Sequence, residues 1–265
     1  MIDRVTRWRL LGLVLGLAVL AGMGLRADAA HRSHSDSWLP DAMFTRMFDE
    51  SLKTINEFAR SESSLNQKAN DLESEAYYLI MLAEVARQNG MNEWGKRAVV
   101  LQAHAAELAL AARRKDLEAA KKFAGLIAEL RSADSVADAK ANPLAQAVPI
   151  QNLMKQVQTH YKRHQEFRRL SAAAFGQRGK PEEIQSAAFR MAVYSLAIHA
   201  HVPTKDIPKD KSAKDWEEAC DDMRKACLDV AAAARAKKQA DVKSAILRME
   251  ASCNRCHRDF RVDID

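Results

Sequence analysis

With 265 residues, a formal net charge of +6 and only 9 glycines and 6 prolines, the chain is long enough for two ordinary domains and rich in helix formers. Few β-branched clusters interrupt the Ala, Leu, Lys, Glu and Arg runs, so composition argues for an all-α fold and against sheet architectures. Basic residues are spread through both halves with no Lys/Arg block interleaved with aromatics, which leaves nucleic-acid binding without support.

The chain opens with Arg4, Arg7 and Arg9, then an uncharged apolar run from Leu10 to Leu25, then small residues at Ala27 and Ala29. This three-part layout is that of a secretory signal peptide over 1–29. The run of 16 residues falls below the ~20 that a spanning helix needs, so cleavage is expected and no stable membrane span thereafter. Losing residues 1–29 removes four arginines and two aspartates and leaves a net charge of +4. Periplasmic export follows from this reading.

Apolar recurrence at three- and four-residue spacing predicts helices over roughly 41–60, 64–88, 92–114 and 116–136. The stretch "ADAKANPLAQAVP", with Pro143 and Pro149, reads as a linker because each proline disfavours helix at the residue before it. Four more helices follow over roughly 149–175, 181–200, 212–237 and 239–260. The expected architecture is two tandem antiparallel four-helix bundles, 30–142 and 143–265.

The halves look related. A shift of 122 residues lays "EWGKRAVVLQAHAAELALAARRK" on "DWEEACDDMRKACLDVAAAARAK", with Trp94 on Trp216, Arg113 on Arg235 and Lys115 on Lys237. The first helices match through Phe58 and Phe167, which sets Thr45 against Met154. An ancestral duplication is one account of this and shared helix composition is the other.

The four cysteines all lie in the second half. Cys220 and Cys227, two turns or ~10.5 Å apart along one helix, cannot pair with each other and read as small buried residues. Cys253, Cys256 and His257 form Cys-x-x-Cys-His, the attachment signature of c-type haem. On a helix these positions share one face, so two thiols can bond one porphyrin while the imidazole reaches the iron from the same side. Chance would produce the motif on the order of 0.002 times in such a chain. A redox Cys-x-x-Cys would begin a helix in a βαβ setting, and a zinc site would need a further ligand such as Cys220 or Cys227. The 122-residue shift puts Arg131, Asp134 and Ser135 at the motif's place in the first half, which is therefore expected to be haemless.

The ending "CNRCHRDFR" on the last helix of a four-helix bundle resembles the class II c-type cytochromes, the cytochrome c prime family with its low-spin relatives. Their pattern, Cys-x-x-Cys-His followed by x-x-aromatic-Arg, is matched by Cys253, Cys256, His257, Phe260 and Arg261, and the resemblance spans roughly 148–262. It implies one covalent haem c with His257 as an axial iron ligand. Low-spin members carry a Met early in the first helix, where Met154 stands in "NLMK", and His/Met ligation suits electron transfer between redox-protein partners rather than enzyme catalysis. High-spin members leave the iron five-coordinate and bind NO or CO. Arg261 could pair with a haem propionate, and Trp216 and Phe260 could pack on the porphyrin. Met191 and Met249 read as core, and His160 and His164 in "HYKRHQEF" read as a solvated face. Since family relatives often pair as homodimers, the haemless half is expected to replace one partner, giving a monomeric pseudo-dimer.

Overall fold

The computed structural model describes residues 38–133, 142–203, 208 and 210–260; the expected signal segment and Arg261 lie outside them. The described residues are all-α, without a strand. In chain order the helices are α1 (Asp41–Phe58), α2 (Glu62–Gln88), α3 (Asn92–Arg114), α4 (Leu117–Glu129), α5 (Leu144–Ala147), α6 (Ile150–Arg169), α7 (Ala172–Phe175), α8 (Lys180–His199), α9 (Ala213–Arg235) and α10 (Gln239–Phe260).

Local chemistry accounts for most boundaries. Ser61 caps α2 by accepting from the Ser64 amide, and Asp116 caps α4 through the Ala119 amide. Ser212 and Asp215 form a reciprocal capping box at the start of α9, satisfying donors that a helix start leaves open. Gly179, at φ 87°, turns the chain into α8, where Pro181 sits in the first turn and its missing N–H costs nothing. The predicted helix 149–175 is two helices, because Leu170 is extended and the Ser171 hydroxyl caps α7 at the Ala174 amide. The fourth helix ends at Glu129 in a run of turns through Ser132, short of the expected 136.

Helices α3 and α9 end alike. Lys115 and Lys237, 122 residues apart, adopt φ 55° and 56°, the only positive-φ non-glycine residues described. The next amides, of Asp116 and Lys238, return 2.9 Å bonds to the carbonyls of Ala111 and Ala233, again 122 apart. This left-handed stop normally favours glycine, so its repetition at the same register with lysine is a structural match between the halves beyond shared composition.

Within the first half α1 packs on α2, α2 on α3, α3 on α4, and α4 returns to α1; in the second, α6, α8, α9 and α10 close the same ring. The span Trp38–Asp265 forms one compact unit. Helices α2 and α8 join the rings, assisted by α1, α5 and α6. Ala76–Ala86 of α2 and Met191–Ile198 of α8 are buried on every side, as expected of helices enclosed by neighbours all round. The junction is polar as well as apolar. Arg190 of α8 donates to both carboxylate oxygens of Glu75 at 2.8 and 3.4 Å, and the Ser51 hydroxyl adds a 2.7 Å bond. The Arg190 guanidinium lies 3.8 Å from the centre of the Tyr78 ring. Ser186 donates to Glu50 and Asn152 to Glu73 across the same junction.

Two expectations change here. His160 and His164 are not on a solvated face: α6 turns them toward α8, with His160 on the Tyr194 ring at 5.5 Å and His164 fully buried. Nor is the Pro143–Pro149 stretch a solvated connector. Leu144 and Val148 are buried, and Asn142 exchanges two backbone hydrogen bonds with the Gln102 side chain.

Candidate cofactor attachment site

The last two turns of α10 carry Cys253, Cys256 and His257. Both thiols are free and partly buried against the core. His257 is exposed, and its ring has no partner among the described residues. Burial pushes Cys253 and Cys256 up to about 11 each, the Ser252 side chain partly opposing this for Cys253. They are therefore neutral thiols near a helix C-terminus, where the helix dipole further disfavours a thiolate. A redox Cys-x-x-Cys has the opposite character, its leading thiol acidified at a helix start. Among the described residues no group of three His, Cys, Asp or Glu side chains is placed to hold a metal ion on its own.

Helix α9 backs this segment in antiparallel register. Asp222 meets Arg255 at 2.6 Å, Asp229 meets Arg248 at 2.8 Å, and Lys211 meets Asp259 at 3.4 Å. At the end of the pair Trp216 and Phe260 pack edge to face, centroids 5.2 Å apart and planes at 88°. The Trp216 indole N–H donates to the Ile198 carbonyl at 3.1 Å, so α8 fixes the ring's orientation. Both aromatics are buried.

Helix α6 supplies the third wall. Arg168 pairs with Glu250 at 2.7 Å, and the Gln239 side chain donates to the Leu170 carbonyl. Counting back along α6 with α10 antiparallel places Met154 level with Arg255 by the Gln239–Leu170 contact and with position 264, past the end of α10, by Arg168–Glu250, two readings about 13 Å apart. His257 falls between. Met154 is 8 % exposed and Leu153 beside it is fully buried. Sequence-predicted Cys253, Cys256, His257, Phe260 and Trp216 thus gather at one end of the α9–α10 pair, and Met154 stands in the second turn of α6. Met191 and Met249 are fully buried core residues. Arg258 pairs with the adjacent Asp259 at 3.0 Å.

The first ring fills the matching place with its own side chains. Trp94 crosses to α1, stacking on Phe44 and Phe48 at 4.9 and 4.6 Å and donating to Thr45 at 3.4 Å. In the second ring the corresponding α6 positions are Leu153, Met154 and Val157, and Trp216 turns to Phe260 instead. At these register positions the second ring has aliphatic side chains where the first has an aromatic cluster. Two free thiols one turn apart and an imidazole without a partner among the described residues fit a covalently held porphyrin.

Cys220 was legible in the sequence only as a small buried residue. It lies one turn from Trp216 on α9 as Cys256 lies one turn from Phe260 on α10, and this matching spacing, with Trp216 against Phe260, is the signal that sets the two cysteines level. No family model, no curated protein and no solved structure matches the chain.

Proposed function

We propose that this protein is an exported, periplasmic monohaem c-type cytochrome of the cytochrome c prime type, an electron carrier rather than an enzyme. The observation that supports it best is the motif's state in the last two turns of α10: Cys253 and Cys256 are free and partly buried, and the exposed His257 ring has no partner among the described residues. Haem c, when bound, supplies reversible one-electron exchange at its iron. Cys253 and Cys256 would hold the ring through thioethers, which would keep it from dissociating. His257, whose ring has no partner among the described residues, would hold the iron through a ring nitrogen, and Met154 would hold it through its sulfur. Trp216 and Phe260 exclude water from the buried side, and Arg261 serves a propionate through paired N–H donors. Donor and acceptor are redox proteins.

The first half is read as an internal partner for the second, replacing a second copy of the haem-bearing ring. The shared helices α2 and α8, with the Arg190–Glu75 pair between them, support this. A monomer in analytical ultracentrifugation is the expected result, and a tight homodimer would count against it.

The haem reading is tested by visible spectra of the oxidised and reduced protein, with and without CO, after denaturation has verified covalent haem. A low-spin ferrous spectrum unmoved by CO, converted to a CO-binding one by Met154→Ala, is expected. A chain without covalent haem overturns the proposal. A high-spin spectrum that shifts with CO removes Met154 from the iron and makes the protein a gas binder.

A further inference from the structure

Helices α9 and α10 present four thiols to one another, and only two of them are used by the haem reading. Trp216 and Phe260 touch, which fixes the faces of the two helices that meet. One turn inward from Trp216 along α9 is Cys220; one turn inward from Phe260 along α10 is Cys256. Because the helices are antiparallel, both steps run in the same direction. The ion pairs Asp222–Arg255 and Asp229–Arg248 give the same register, placing Cys220 level with Cys256 to within about one residue rise, ~1.5 Å. Cys227 falls level with Glu250, three residues or ~4.5 Å along the axis from Cys253. Ala219 beside Cys220 and Ala226 beside Cys227 are both buried, and such small side chains favour the close backbone approach, a Cα separation of roughly 5–6 Å, that a disulfide needs.

We propose that in the chain without haem Cys220 and Cys256 form an interhelical disulfide, and that this bond gates haem attachment. The gate rests on the haem reading; the disulfide does not. Cys256 is the more accessible sulfur, being partly buried, whereas Cys220 is buried. The oxidant is a disulfide. Cys256 exchanges with oxidised glutathione, forming a mixed disulfide and releasing one reduced glutathione. The Cys220 sulfur then attacks the Cys256 sulfur and releases the second. Two thiol hydrogens leave on the two glutathiones, and one protein S–S bond replaces the glutathione S–S bond. While the protein bond is closed, Cys256 has no thiol to add to a vinyl group. Reduction restores it.

The test uses the full chain produced without haem attachment, reduced, then equilibrated with oxidised and reduced glutathione. Thiols are alkylated and the chain is digested without reductant for mass spectrometry. A peptide pair joining Cys220 to Cys256, lost on reduction and absent from Cys220→Ser, is expected. Oxidation confined to Cys253–Cys256, glutathione adducts alone, or four alkylated cysteines would overturn it. For the gate, wild type and Cys220→Ser are compared for covalent haem per chain when made with haem-attachment machinery under oxidising conditions. A larger haem-bearing fraction in the variant supports the gate, and equal fractions refute it. If neither chain gains haem, the gate falls with the haem reading, while the peptide map still decides the disulfide.

Discussion

Replacing Arg190 with methionine is the sharpest test of how the two halves are held together. Arg190 and Glu75 retain only 14 % and 16 % side-chain exposure at a 2.8 Å contact. At an effective dielectric of about 20, their gross attraction is about 6 kcal/mol. Desolvation of two ions costs several kcal/mol each, so the intact pair contributes little net stability. Removing one member is different, because Glu75 is then left ionised with the Ser51 hydroxyl as its remaining donor. Arg190→Met should therefore cost about 3–5 kcal/mol, including the lost contact with the Tyr78 ring. Arg190→Met combined with Glu75→Met removes both charges and should recover most of that loss. Urea unfolding followed by far-UV circular dichroism measures all three free energies as a cycle. A single-substitution cost below about 1 kcal/mol, the range of exposed pairs, or strict additivity in the cycle, would refute the reasoning.

Acid should loosen the same junction. Burial, then the Arg190, His164 and Arg163 charges, depress His160 to about 3; burial, with Arg163 adding and the Ala187 backbone opposing, takes His164 to about 4. Both are held below their unfolded value of 6.5, so their contribution is complete above pH 6.5 and declines as pH falls toward 4 and 3. Each loses up to about 1.4 kcal/mol per pH unit within that window; denaturation midpoints independent of pH between 6.5 and 4.5 would contradict this. Lys115→Gly and Lys237→Gly should each stabilise by about 0.5–1 kcal/mol, because glycine adopts the left-handed stop without a Cβ penalty. Equal gains are expected from the matching geometry, and a loss at either position would count against it.

The helices that pack mainly on sequence neighbours were readable from sequence: 92–114 and 239–260 are observed as expected, since local apolar spacing and caps decide them. The break at Leu170 was not, because Ser171 competes as a cap inside an otherwise helical pattern. His160 and His164 sit in a segment whose charges read as solvated. Their burial comes from α8 and its neighbours, packing that no window along α6 contains. The same holds for Leu144 and Val148, which read as linker until α2 covers them. At the site, the motif itself was plain, as was Met154 by resemblance. The pairing of Cys220 with Cys256 needed the register between α9 and α10, which depends on contacts between residues 19 and 33 apart, Asp229–Arg248 and Asp222–Arg255.

The doubly enclosed helices α2 and α8 also set an order of events during folding. Within each ring most neighbours are consecutive helices, whose contacts close short loops and form quickly. The bonds that join the rings span 115 residues at Arg190–Glu75 and 136 at Ser186–Glu50, so they come last. Until then each ring carries a wide uncovered stripe on its second helix, with an unpaired arginine on one side and an unpaired carboxylate on the other. That interval is when the chain is most open to aggregation, and the opposite charges that mark the two stripes favour docking to each other over sticking to a like copy.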